Sequence, residues 1–214
     1  LRTPLTVILG YSDMLSRWGR EDKNILDEGI TAIRSEAENM QQLIEKLLFL
    51  ARADQKRQAV NKEAVEFSEL LADTMEKMQT VTTSHEVTLG RNDHAVVSAD
   101  PVLLRQLLRI FLENSVKYTP PGGHIHAYSI LSDDGKTITV TLTDNGIGIA
   151  PEHQARIFDR FYRVDSSRTK ETGGSGLGLS IARWIAERHD IKIALRSAVD
   201  EGTTITLSIP TITE

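Results

Sequence analysis

Four stretches of this 214-residue chain carry more glycine and polar side chains than packing requires. In Asn114-Ser115-Val116-Lys117-Tyr118-Thr119-Pro120, Asn114 and Lys117 stand three residues apart, on one face if the segment is helical. An amide oxygen there suits a hard cation and an ammonium suits a phosphate, although a solvated helix end would look the same. In Asp144-Asn145-Gly146-Ile147-Gly148-Ile149 a carboxylate at a strand end can accept a hydrogen bond from an exocyclic amine, and Gly146 and Gly148 let the backbone approach a flat ligand. Such a charge-assisted bond is worth roughly 1.5–3 kcal/mol, and an ordinary Asp-Asn-Gly turn is the alternative. In Gly173-Gly174-Ser175-Gly176-Leu177-Gly178-Leu179, free backbone N–H groups at a helix start form an anion site. The polar stretch 164–172 before it, with Arg168 and Lys170, is a positively charged lid or else a linker. Last, the hydroxyls of Gly202-Thr203-Thr204 can support the carboxylate and an ordered water, or make a plain β-turn.

Other chemistry is excluded. GxxxxGK[ST] does not occur, and the glycine run follows a polar stretch instead of a strand, so neither a P-loop nor a Rossmann site is present. With no cysteine, disulfides, thiolate metal sites and cysteine nucleophiles are out. His124 and His126 share a strand face without a third ligand, and no Ser–His–Asp arrangement stands out. The 30 acidic against 25 basic residues give a formal charge of −5, which argues against nucleic acid as a partner. No apolar run approaches the roughly 20 residues of a membrane span. Beginning at Leu1, the chain is expected to be a soluble piece of something longer.

Elements that would position these residues follow from periodicity. Leu1, Leu5, Ile8, Leu9, Ser12 and Leu15 mark one helix, with Pro4 in its first turn. Leu26, Ile30, Ile33, Ala37, Met40, Ile44, Leu47 and Ala51 form a heptad seam that marks a second. The two make an antiparallel hairpin over residues 1–53 that cannot bury both faces alone, so a four-helix bundle of two copies is expected. Residues 54–214 form the second domain. Ser68 is expected to cap a helix to about Gln79, and Asp100-Pro101 to start another with Leu103, Leu104, Leu107, Leu108, Phe111 and Leu112 inward. Strand pairs at 124–131 with 137–143, and 191–196 with 203–209, complete an α+β, two-layer α/β sandwich.

In this order the motifs resemble those of a bacterial sensor histidine kinase over essentially the whole chain. Leu1-Arg2-Thr3-Pro4-Leu5 resembles the tail of the H-box, which reads His-Glu-Leu-Arg-Thr-Pro-Leu; LENSVKYTP resembles the N-box, DNGIGI the first glycine box, IFDRFYR the F-box and GGSGLGLSIAR the second glycine box. The resemblance implies a Bergerat-type ATP-binding sandwich, with ATP and Mg²⁺ as ligands and ATP-dependent protein-histidine kinase activity. By it Asn114 holds Mg²⁺, Lys117 the phosphates, Tyr118 lies against the nucleotide, and Asp144 takes the adenine amine. Gly146 and Gly148 shape the pocket; Gly174, Gly176, Leu177 and Gly178, with Arg168 of the lid, hold the phosphates; Thr204 joins the adenine network; Phe158 and Phe161 anchor the lid.

The resemblance also implies a homodimer through the hairpin and a response-regulator receiver domain as partner, with Arg2, Tyr11 and Arg17 as contacts. It implies a cytoplasmic location, in a parent attached to the inner membrane through its upstream region. Two departures stand out. Ile110 occupies the place of a second N-box asparagine, or of the glutamate that related hydrolases use. The acceptor histidine would lie two residues before Leu1, so the chain as given is expected to bind ATP without phosphorylating itself. Thr3 falls where the family places a residue orienting water for dephosphorylation, or is ordinary first-turn chemistry. A nucleotide-responsive partner-binding module without catalysis is the alternative from another class.

Overall fold

Two helices come first. α1 (Arg2–Trp18) and α2 (Lys23–Asp54) place apolar residues at three- and four-residue intervals, and α2 is capped by Asp22, whose carboxylate accepts the N–H groups of Asn24 and Ile25. At 32 residues α2 is about 48 Å long. The computed structural model describes residues 2–18, 22–164 and 174–212, and of these the side chains of Arg2 and Thr3 lie outside the description. By its internal contacts the chain divides into two compact units, Leu1–Gln58 and Ala59–Glu214. In the first, Leu5, Leu9, Leu26, Ile30, Ile44 and Leu48 leave an apolar stripe exposed.

The second unit runs β1 (Glu63–Glu66), α3 (Phe67–Val81), β2 (Glu86–Asn92), β3 (Val96–Ala99), α4 (Pro101–Tyr118), β4 (His124–Leu131), β5 (Thr137–Asp144), the short α5 (Pro151–Gln154), α6 (Gly178–Arg188), β6 (Lys192–Ala198) and β7 (Gly202–Pro210). Five strands form a sheet in the order β2-β4-β5-β7-β6, with β2 parallel to β4 and every other pair antiparallel. β1 and β3 form a separate two-stranded ribbon.

Alternation along the strands fixes which face of the sheet is covered. Ile125 and Ala127 of β4, Ile138, Val140 and Leu142 of β5, and Ile205, Leu207 and Ile209 of β7 are buried. Leu103, Leu104, Leu107, Leu108, Phe111 and Leu112 of α4 are buried too, as the spacing predicts. Each of the larger of these side chains, the valine, leucines, isoleucines and phenylalanine, stabilises the fold by about 1.5–3 kcal/mol. The expected sandwich is present: helices α3, α4 and α6 in one layer, the mixed sheet in the other.

Three local expectations are corrected. Ser68 is not the cap of α3; Glu66 is, accepting both the backbone N–H and the hydroxyl of Ser68. Strands β1, β2 and β3 lie where no strand was expected, in 63–99, because their apolar residues are too few to show alternation. The last strand pair extends to 192–198 and 202–210, with Asp200 and Gly202 at positive φ in the turn.

Candidate functional site

Asp144 ends β5, so its side chain stays on the buried face and is 7% exposed. Its Oδ1 accepts the backbone N–H groups of Gly146 (3.0 Å) and Thr203 (3.1 Å), and its Oδ2 accepts the Ser115 hydroxyl at 2.8 Å. Burial raises the pKa of the carboxyl above its ordinary 3.8, and these three hydrogen bonds pull against that rise.

The loop after β5 is held from both sides. Ile147 donates to the Tyr118 carbonyl and accepts from Asp200, while Ile149 donates to the Ser197 hydroxyl. The Gln154 amide donates to the carbonyls of Ile149 and Ser197, both at 2.8 Å. Gly148 sits at φ 66°, where a side chain is strained, and a Cβ there would run into the Ala198 carbonyl. Beside Gly146, polar atoms gather: the Asp144 Oδ1 and the Thr119 hydroxyl each lie 3.0 Å from where a Cβ would stand. The Thr119 hydroxyl is buried with no hydrogen-bond partner among the described residues. Such an atom fits a polar ligand or bridging water at this spot better than an apolar one.

A second set of groups suits anions. α2, α3 and α4 have acidic caps in Asp22, Glu66 and Asp100, whereas α6 begins after the buried Leu177 with no side-chain cap. Its first N–H groups therefore have no side-chain acceptor, and the helix dipole favours negative charge there. Lys117 comes to the same place from the end of α4: a Cβ on Gly174 would run into its ammonium. That ammonium is also 5.1 Å from the Tyr118 ring centroid. Gly176, at φ 68°, offers its carbonyl to the Phe161 N–H, and Gly178 opens α6.

The four segments are thus brought together by contacts of α4 with Asp144, of Asp144 with the start of β7, and of Lys117 with Gly174. Asn114 is half-buried one step before Ser115. Among the described residues no group of three or more His, Asp or Glu forms a metal cage. Asn114 carries a neutral amide oxygen, and a single such donor suits magnesium, which takes few protein ligands and completes its shell with phosphates and water.

Other expectations are modified. Thr204 does not reach Asp144; its hydroxyl faces that of Thr143 at 3.3 Å, and the backbone of Thr203 makes the contact instead. Ile110 is buried, with Cγ2 3.5 Å from where a Gly178 Cβ would be, so it packs under the start of α6. Phe158 lines a cavity of about 280 Å³ with Arg183, Ala186, Glu187, Ile191 and Ile193. Phe161 is 61% exposed at φ 63°, so it pins the segment by its backbone and not by its ring. The better-held aromatic is Tyr162, whose hydroxyl is 2.7 Å from His153 Nδ1 with Arg156 stacked on its ring. Arg168, Lys170, Gly173 and the Thr3 side chain lie outside the described residues.

Reading by spacing missed Ser115, Thr119, Gln154 and Ser197. Ser115 meets a residue 29 positions away and Gln154 one 43 positions away, so no local pattern marks either.

Comparison with known proteins adds two family matches. Residues 99–213 match the family of histidine kinase-, DNA gyrase B-, and HSP90-like ATPases, and residues 1–56 match the His Kinase A (phospho-acceptor) domain. Sensor histidine kinase YkoH of Bacillus subtilis (strain 168) is 36% identical over 207 residues, covering 97% of this chain and 44% of YkoH. Sensor histidine kinase WalK of the same strain is 34% identical over 216 residues, covering 98% of this chain and 35% of WalK. The chain therefore spans less than half the length of these curated relatives. Among solved structures, full-length ShkA in complex with AMPPNP superposes on all of this chain with a TM-score of 0.76 at 24% identity, using 44% of its own length.

Proposed function

The chain belongs to the family of histidine kinase-, DNA gyrase B- and HSP90-like ATPases, as a bacterial sensor histidine kinase with a phospho-acceptor domain ahead of its ATPase domain, and from that premise we propose that the Asp144 site binds ATP with magnesium. The observation that carries this reading is the meeting of the Lys117 ammonium with the glycine run ahead of an uncapped α6, one helix end away from a buried carboxylate.

In this reading Asp144 takes the exocyclic amine of adenine, and Gly146 and Gly148 allow close approach of the base. Tyr118 lies against the nucleotide, and the backbone of Thr203 at the start of β7 holds the carboxylate at the adenine end. Lys117, Gly174, Gly176, Leu177 and Gly178 hold the phosphates, and Arg168 adds positive charge to the set. Asn114 holds the magnesium, which when bound neutralises charge on phosphate oxygens. Phosphoryl transfer needs mainly positioning and charge stabilisation, and these groups supply both.

The γ-phosphate passes in the intact protein to a histidine, and from it to an aspartate of a response-regulator receiver domain. All six histidines of the chain, from His85 to His189, lie beyond residue 58, so none belongs to the phospho-acceptor helices as given. The acceptor position falls two residues ahead of Leu1, and Thr3 orients water for dephosphorylation. The exposed stripe Leu5, Leu9, Leu26, Ile30, Ile44 and Leu48 pairs two copies into a four-helix bundle. Arg2, Tyr11 and Arg17 are the candidate contacts for the regulator. This part is cytoplasmic, and the parent is attached to the inner membrane. Among the described residues no helix is long and apolar enough to cross a membrane.

Incubation with γ-labelled ATP tests the reading. A chain extended to include the upstream H-box gains acid-labile label, and the 214-residue chain binds nucleotide but gains none. Free phosphate release without labelled histidine would instead point to a hydrolase, against which the buried Ile110 argues.

A further inference from the structure

The carboxylate of Asp144 can accept about four hydrogen bonds, two on each oxygen. Oδ1 already accepts two backbone N–H groups, from Gly146 and Thr203. Oδ2 accepts one, from the Ser115 hydroxyl at 2.8 Å. One acceptor direction is left, and it lies on the oxygen that Ser115 holds. A serine inside a helix commonly bonds back to the carbonyl four residues earlier. Ser115 instead reaches across to the sheet, and it is itself 8% exposed. The two backbone donors survive any side-chain substitution, so the serine is the one member of this clamp that a change of residue can remove.

We infer that Ser115 is a positioning residue for base recognition: its hydroxyl fixes the free acceptor direction of Asp144 Oδ2 toward the exocyclic amine of the ligand. The inference rests on the nucleotide reading of the site. α4 then sets both ends of the ligand, the phosphate end through Asn114 and Lys117 and the base end through Ser115. The same bond favours the ionised carboxyl and so opposes the rise that burial causes. The packed elements carry titratable side chains, among them Arg109, Glu113, Lys117 and Tyr118 on α4, His124 on β4 and Arg196 on β6, while β7 carries none. Without the Ser115 donor the carboxyl keeps its proton to higher pH, and a protonated Oδ2 presents a donor to the amine in place of an acceptor.

The test uses the 214-residue chain, its Ser115→Ala variant, which deletes one oxygen, and Ser115→Thr, which retains the hydroxyl. Titration calorimetry with magnesium-ADP is run across pH, and the Asp144 carboxyl is followed by carbon-13 NMR in the protein without nucleotide. The expected result for Ser115→Ala is about tenfold weaker binding at neutral pH. Its loss of binding in acid should begin at higher pH and its carboxyl midpoint should lie above the wild-type one, while Ser115→Thr restores all three. Nucleotide binding with affinity, pH profile and midpoint all unmoved by alanine overturns the inference alone. A wild-type chain that binds no adenine nucleotide overturns the nucleotide reading and this inference with it.

Discussion

At the scale of single residues, Asp144 is stabilised less by its surroundings than it would be in water. A carboxyl whose pKa is raised on folding contributes stability at acid pH that is lost as pH rises through the raised value. Asp144→Asn should therefore make the nucleotide-free protein more stable at neutral pH, read as a higher urea midpoint. The same substitution replaces an acceptor with an amide and should weaken adenine nucleotide binding at least about tenfold. An equal or lower midpoint together with retained affinity would contradict both halves. Gly148 answers to a different constraint, since its φ of 66° and its closeness to the Ala198 carbonyl leave no room for a methyl group. Gly148→Ala should cost about 2 kcal/mol or more in denaturant unfolding.

At the scale of elements, α4 and α6 are joined by a buried histidine. His189 caps the end of α6; its Nε2 accepts the Asp100 N–H at 3.0 Å and its Nδ1 donates to the Ile185 carbonyl at 2.8 Å. Asp100 in turn caps α4 and accepts the Asn61 N–H. Burial lowers the His189 pKa below 6.5 and Lys62 adds to that, while the hydrogen bond to the Ile185 carbonyl and the charges of Asp100 and Asp190 oppose it. A histidine kept neutral by folding stabilises above its unfolded pKa, and that stability is lost as pH falls from about 6.5 through the folded value. His189→Gln keeps an acceptor for Asp100 but does not titrate. Urea midpoints at about pH 7.5 and 5.5 should fall further for the wild type than for this variant, and equal falls would contradict the latch.

The apolar spacing of α4 was legible because Leu103, Leu104, Leu107, Leu108, Phe111 and Leu112 repeat at helical intervals, and Asp100-Pro101 marks its start. The cap of α3 was not, because Glu66 and Ser68 are both plausible oxygens two residues apart and only the fold decides between them. Likewise the glycines and Asp144 show in the sequence as a strand end followed by turn residues. Ser115 meets Asp144 and Gln154 meets Ser197 from distant parts of the chain, and no local period carries such contacts. Arg91 and Asp93 show the limit from another side: a bidentate surface pair with shifted pKa values that serves a turn and a backbone N–H of Leu131, not a site.

At the scale of the whole molecule, the exposed stripe of the helical unit asks for a second copy. A monomeric protein seldom leaves a row of large aliphatic side chains in water. Ile30, 53% exposed, and Ile44, 42% exposed, are members whose replacement by glutamate removes apolar area without disturbing the helix. Sedimentation should find a dimer for the wild type and a monomer for Ile30→Glu/Ile44→Glu, with nucleotide affinity unchanged. A wild-type monomer, or a variant that stays dimeric, would contradict the bundle.

Everything assigned to the ATPase unit turns on whether it takes up an adenine nucleotide. Isothermal titration of the 214-residue chain with magnesium-AMPPNP, beside the guanine analogue, reads this directly. The account predicts saturable heat at one nucleotide per chain and a raised melting temperature for the adenine compound, with little of either for guanine. No heat and no shift with adenine, or equal binding of guanine, would contradict it.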